Sequence, residues 1–285
     1  MAQHFLNTPV VYKLGTKFMS YIPAAISYAF AHSIADISFL FYKSAVEKFI
    51  KKLRPVFPDA SDRDLAGKTR RIFRNYAEYL VDYGRFSDLD NETLLQKIVH
   101  FDGEENLINA LNIQKGVILL TAHLGNWELG GIFFGAYGLK VNVVTLPDED
   151  TEIDSNRNRY RKNYGIKTIT VGDTPFSTIN LVNALGRNEL VAMLIDRYSN
   201  DKDSITLDFF NRPEQFPKGP FVLSRITGAP IIVAFVVKEN GAYKGIIETP
   251  FLVENRDDET ATAEKVVRIF EQYIVQYSEQ WYDFR

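Results

Sequence analysis

His123 and Glu128 stand in the stretch Thr121-Ala-His-Leu-Gly-Asn-Trp-Glu-Leu-Gly130, directly after the apolar run GVILLT. An imidazole exchanges protons near neutral pH, and a carboxylate on one ring nitrogen leaves the other as a proton acceptor. Such a pair is the base-and-orienter half of a Ser-His-Asp triad, with the nucleophile supplied by the substrate. A substrate hydroxyl would lose its proton to His123 and attack a thioester carbonyl. His and Glu at this spacing also occur by chance, so the surroundings carry the argument.

On a continuous helix, residues five apart point about 140° away from each other, at 3.6 residues per turn. The two side chains meet if His123 lies at a strand end and Glu128 in the first helical turn, which Gly125 and Asn126 permit. Backbone N–H groups from about Asn126 onward then stand at the helix start, where an oxyanion would form. In an open α/β sheet, ligands sit at the carboxyl ends of the strands, and His123 occupies such an end. Asp196 closes LVAMLID at the same edge and supports the site or its loops; a strand-end turn or helix cap is its plainer role. Arg197 follows it.

The elements that must place these residues read as follows. Strands are expected at GVILLTAH, VNVVTL, IKTITV, LVAMLID, SITLDFF, APIIVAFVV and YKGIIETPF, the last ones pairing antiparallel. Helices are expected from Trp127 through Phe133, near 154–164, and at 176–187, 219–227 and 260–277. This alternation implies an α/β fold, with a central, mostly parallel sheet flanked by helices. Residues 1–100 read as a helical extension that associates with membrane, and 101–285 as the core of one continuous domain. Within the extension, the uncharged run from Met19 to Ala35 is broken by Pro23, His32 and Asp36 before it reaches the roughly 20 apolar residues of a spanning helix, so it reads as interfacial. Next, Lys43, Lys48, Lys51, Lys52 and Arg54 alternate with Val46, Phe49, Ile50 and Leu53. This suits a helix in a headgroup layer, or equally one packed on its own domain. Asp59 or Ser61 caps the helix after it.

Lys and Arg number 33 against 36 Asp and Glu in 285 residues, so no overall field draws in nucleic acid. The chain has no cysteine, which excludes disulfides, thiolate metal sites and a cysteine nucleophile. No second histidine lies at ligand spacing from His123, and there is no G-x-S-x-G elbow, P-loop or G-x-G-x-x-G. No metal or bound cofactor is expected. The N-terminus lacks the order of a cleavable signal peptide.

HLGNWE preceded by VILLTA resembles the signature of the bacterial lipid A late acyltransferases, also called lauroyl or myristoyl acyltransferases. They are a branch of the lysophospholipid acyltransferase superfamily, whose motif is His, four residues, then Asp or Glu. The likeness covers most of the chain: FPDAS with Pro58, RNRYRKNYG, LIDR, DFF before FPKGP, TGAP and the near-terminal EQW. It implies a glycerolphosphate acyltransferase-like fold and a His123–Glu128 dyad. It also implies transfer of a fatty acyl group from the phosphopantetheine thioester of acyl carrier protein to a hydroxyl of a lipid A precursor or related glycolipid or aminolipid. Arg161, four residues before Gly165, resembles the family arginine that holds an anionic substrate, a task suited to a guanidinium fork. Arg157 and Arg159 are rivals for it. Lys218 and Gly219 in FPKGP resemble a segment beside the substrate, although Pro217 and Pro220 alone explain a rigid turn. The implied place is the cytoplasmic face of a bacterial inner membrane, with peripheral or single-helix attachment. The N-terminal apolar helix is weaker than the family's, and the tail after Trp281 is short, which points to a divergent acceptor. A thioesterase, or a lipid binder that keeps the fold without turnover, are the alternatives.

Overall fold

In the computed structural model, three helices lead the described chain: α1 (Ala24–Phe41), α2 (Lys43–Leu53) and α3 (Asp62–Phe86). The structure describes residues 22–86, 89–145, 158, 161–172, 175–197 and 203–283. Pro23 stands at the N-cap of α1, where its fixed φ suits a helix start, and the helix runs on through His32 and Asp36. Neither residue interrupts it, because each has a partner on α3: His32 Nε2 lies 2.7 Å from Glu78, and Asp36 is gripped by Arg70 and Arg74. α2 turns Phe49 and Leu53 inward, Phe49 meeting Phe73 of α3 edge-on at 5.9 Å. Phe49 and Leu53 are therefore covered by protein, while Val46 and Ile50 are half-buried. Ser61 caps α3 in a reciprocal box, its hydroxyl receiving the Asp64 N–H at 3.2 Å while Asp64 receives the Ser61 N–H. A 3-10 turn, Ser278–Gln280, leads to Trp281 and Tyr282, both buried, the latter against Tyr76 and Tyr79.

These helices and the C-terminal segment from Tyr273 make one unit; Asp90–Gln272 make the other. The second unit opens with α4 (Asn91–Leu95), β1 (Ile98–Asp102) and α5 (Glu104–Asn112). The expectation of helix throughout the first hundred residues thus stops short. Ile98–Asp102 is drawn into a ladder by a strand some 140 positions away, and such non-local pairing outweighs local preference. Next come β2 (Val117–Thr121), α6 (Trp127–Ala136), β3 (Val141–Thr145), β4 (Lys167–Thr170), α7 (Pro175–Gly186) and β5 (Leu190–Leu194). A two-stranded antiparallel hairpin of β6 (Ser204–Asp208) and β7 (Pro213–Pro217) stands apart from the main sheet. α8 (Gly219–Thr227), β8 (Ile231–Glu239), β9 (Ala242–Ile247) and α9 (Arg256–Gln276) complete the order.

Among the described residues, the main sheet has seven strands in the order β1-β9-β8-β2-β5-β3-β4, parallel except for β8 against β9. SITLDFF supplies a strand, but to the hairpin, paired with a segment whose prolines at both ends hide its strand character. All five β2 residues are buried, as a strand covered on both faces requires. The center is Ile118, Leu120, Val191, Ile232 and Val233, each essentially without exposure. At roughly 1.5–3 kcal/mol per fully buried large aliphatic side chain, this layer makes the carboxyl edge of β2 and β5 a rigid base for chemistry.

Candidate active site

Register sets the site. β2 and β5 are parallel neighbours with Thr121 opposite Leu194, and His123 and Asp196 each lie two residues past that pair. The chain stays aligned beyond the strands, since Ile195 N–H donates to the Thr121 carbonyl at 3.1 Å. His123 Nδ1 and Asp196 Oδ1 are 2.7 Å apart, and Asp196 Oδ2 accepts the His123 backbone N–H at 3.0 Å. The Asp196 side chain has no exposure while that of His123 retains 18 %. An acceptor on Nδ1 selects the neutral tautomer protonated there, which puts the basic lone pair on Nε2. Trp127 adds an edge-on ring contact at 4.9 Å.

The spacing expectation gives His123 to Glu128; the structure puts Asp196 on Nδ1 and Glu128 with Arg161. Glu128, in the first turn of α6 where a negative charge suits the helix dipole, accepts from Arg161 Nη2 at 2.6 Å and Nε at 3.2 Å. Both are buried, Arg161 at 4 % and Glu128 at 7 %. A buried, fork-on carboxylate pair is a firm geometric clamp, and breaking it strands a charge. Arg161 therefore ties the segment ahead of Gly165 to the start of α6. An anionic substrate reaching this guanidinium would compete with Glu128.

Between His123 and α6 the chain makes a turn that glycine alone permits. Gly125 has φ +66° and bridges to Val236; a Cβ on it would lie 2.0 Å from the Val236 carbonyl oxygen. Asn126 N–H donates to that same carbonyl at 2.7 Å, so the amide expected at the oxyanion is committed to the sheet. The Asn126 side chain is the N-cap of α6, accepting from Leu129 N–H at 2.9 Å and donating to Tyr243 Oη at 3.2 Å. It is 2 % exposed, so its observed work is to lock the turn that carries His123. Tyr243, on β9, had no motif to announce it, since only tertiary pairing brings it there.

α6 then runs over the sheet, with a largely apolar cavity of about 50 Å³ beneath it. Leu119, Ala192, Val143 and Phe134 line it, together with Trp127, Glu128 and Arg161 from the site. Lys218 and Gly219 stand at the start of α8, Lys218 Nζ 3.5 Å from Glu259, which also receives Arg225 Nε at 2.6 Å. Burial raises the Glu259 carboxyl, but the two cations outweigh it and hold the group below the usual carboxylate range. Arg157 and Arg159 lie outside the described residues.

Fold and site define a class first: an α/β protein whose imidazole is held by a buried carboxylate at the carboxyl edge of its sheet. The family is particular. The model described as bacterial lipid A biosynthesis acyltransferase matches residues 7–285, and the chain belongs to that family, within the lysophospholipid acyltransferase superfamily. It is similar to the phosphatidylinositol mannoside acyltransferase of Mycolicibacterium smegmatis, 25% identical over 219 residues, covering 75% of this chain and 69% of that protein. It is also similar to the lipid A biosynthesis palmitoleoyltransferase of Escherichia coli, 26% identical over 235 residues, covering 81% and 74%.

Proposed function

We propose that this chain moves a fatty acyl group from the thioester of acyl carrier protein to a hydroxyl of a membrane glycolipid, at the cytoplasmic face of a bacterial inner membrane. The observation that carries the reading is the 2.7 Å contact between His123 Nδ1 and buried Asp196 at the carboxyl edge of the sheet. His123 is the general base through Nε2, and Asp196 is its orienter, taking the part that spacing suggested for Glu128. As the acceptor hydroxyl loses its proton to Nε2, its oxygen attacks the thioester carbon. The tetrahedral oxyanion forms beside the start of α6, where the helix dipole stabilises negative charge. Collapse breaks the C–S bond, and the imidazolium returns its proton to the leaving thiolate, so acid and base balance in one cycle.

The Glu128–Arg161 clamp holds the polar wall of the small apolar cavity beneath α6 in place. The layout is read as glycerolphosphate acyltransferase-like. One relative is named for acyl transfer involving phosphatidylinositol mannoside and the other for lipid A biosynthesis, and the first name supports a glycolipid acceptor. The test is transfer of labelled acyl groups from acyl carrier protein to a panel of glycolipids. His123→Ala should lower turnover by roughly 10² to 10⁴ with the fold intact; near-normal turnover in that variant would refute the assignment.

A further inference from the structure

α1 is amphipathic in the opposite sense to a helix in water. Its inward positions are Ser27, Ala31, Ala35 and Ser38, flanked by Tyr28, His32 and Asp36, whose partners are all on α3: Asp82, Glu78, and Arg70 with Arg74. These pairs run antiparallel along the whole helix. The outward stripe holds the large apolar residues, with Ile26, Phe30, Ile37, Leu40 and Phe41 between 56% and 79% exposed and no charge among them. A continuous exposed stripe of this kind marks a surface built for an apolar medium. Just beyond its end, α2 turns Phe49 and Leu53 into the protein and leaves Lys43, Lys48 and Lys51 exposed.

We propose that α1 lies in the plane of an anionic lipid bilayer, its outer stripe in the acyl layer and the α2 lysines among the headgroup phosphates, rather than crossing the membrane. Charge complementarity selects this occupant. Exposed ammonium groups beside an apolar stripe match a lipid surface, whose phosphates and hydrocarbon are stacked in the same order. Spanning is disfavoured by the same contacts. By length and composition alone, the 18 residues of α1 would suffice to cross a membrane; its polar contacts decide against it. Crossing would strip Asp36 and His32 of their α3 partners or drag the charged α3 in with them. The inference deepens the proposed function and rests on it only for the acceptor being a membrane lipid.

The chain has no cysteine, so single Ala25→Cys and Tyr42→Cys variants of the full chain report the two ends of α1. In inverted inner-membrane vesicles, a membrane-impermeant maleimide should label both from the same side; labelling from opposite sides overturns the proposal. Independently, purified protein should bind vesicles of phosphatidylethanolamine with phosphatidylglycerol more tightly than phosphatidylcholine vesicles. Phe30→Glu with Ile37→Glu should weaken that binding by on the order of tenfold or more. Ile179→Glu, at another exposed apolar residue, should not. Circular dichroism checks that each variant is folded. Unchanged vesicle binding by the double variant overturns the proposal, as does its dissociating a wild-type dimer in solution while binding persists, which would make the stripe a self-association surface. Same-side labelling without acyl transfer would leave α1 as described and remove the catalytic reading alone.

Discussion

Asp196 gives His123 the two properties a base needs, a defined tautomer and a fixed direction, and supplies both from a position with no side-chain exposure. Asp196→Asn keeps the size but removes the negative charge that stabilises the imidazolium. Turnover should fall by on the order of 10² to 10⁴ with little change in KM, which steady-state kinetics will show. Glu128 is expected to behave differently because its partner is Arg161. Glu128→Gln leaves a buried guanidinium without its counter-charge, costing about 3 to 5 kcal/mol of stability. Adding Arg161→Met should recover part of that loss, as read by denaturant unfolding. A Glu128→Gln protein with full stability but no turnover would instead return the orienting role to Glu128.

At the scale of elements, the turn through Gly125 and the cap by Asn126 join the end of β2 to the start of α6 within six residues, so the site inherits the rigidity of the sheet. The α1–α3 pair is held by polar contacts, and these respond to pH. Hydrogen bonds from Arg70 and then Arg74 hold the Asp36 carboxyl well below the usual carboxylate range. A depressed folded-state pKa means stability that is present above the unfolded value, near pH 3.9, and lost as pH falls through the folded one. Amide protection in Ala24–Phe41 should therefore be constant from neutrality to about pH 4 and drop below it. Asp36→Asn should remove that acid-dependent step; if the step persisted unchanged, another carboxylate would be responsible.

For the whole molecule, an α/β unit carries the proposed base, and a helical unit shows an apolar stripe of the kind a bilayer covers. This division of labour fits an enzyme whose acceptor stays in the membrane. Cells in which the gene is disrupted should lose one acyl chain from one class of membrane glycolipid, visible by lipid mass spectrometry, and regain it on complementation with wild type but not with His123→Ala. A lipid profile identical in all three strains would exclude the proposed activity.

Much was legible in the residues themselves. GVILLT and APIIVAFVV read as buried strands, because short apolar runs rich in Val and Ile and bounded by Gly or Pro fit strands covered on both faces. Gly125 and Asn126 announced the turn that brings His123 to a strand end, and the helix expected at 219–227 is α8. What spacing left open was which carboxylate the imidazole meets. Glu128 is close along the chain, yet Asp196, 73 positions away, arrives by the register of two parallel strands, a long-range hydrogen-bond ladder without a local signature. The inverted sense of α1 belongs with it: the charges that seem to interrupt an apolar run are read correctly only once α3 supplies their partners.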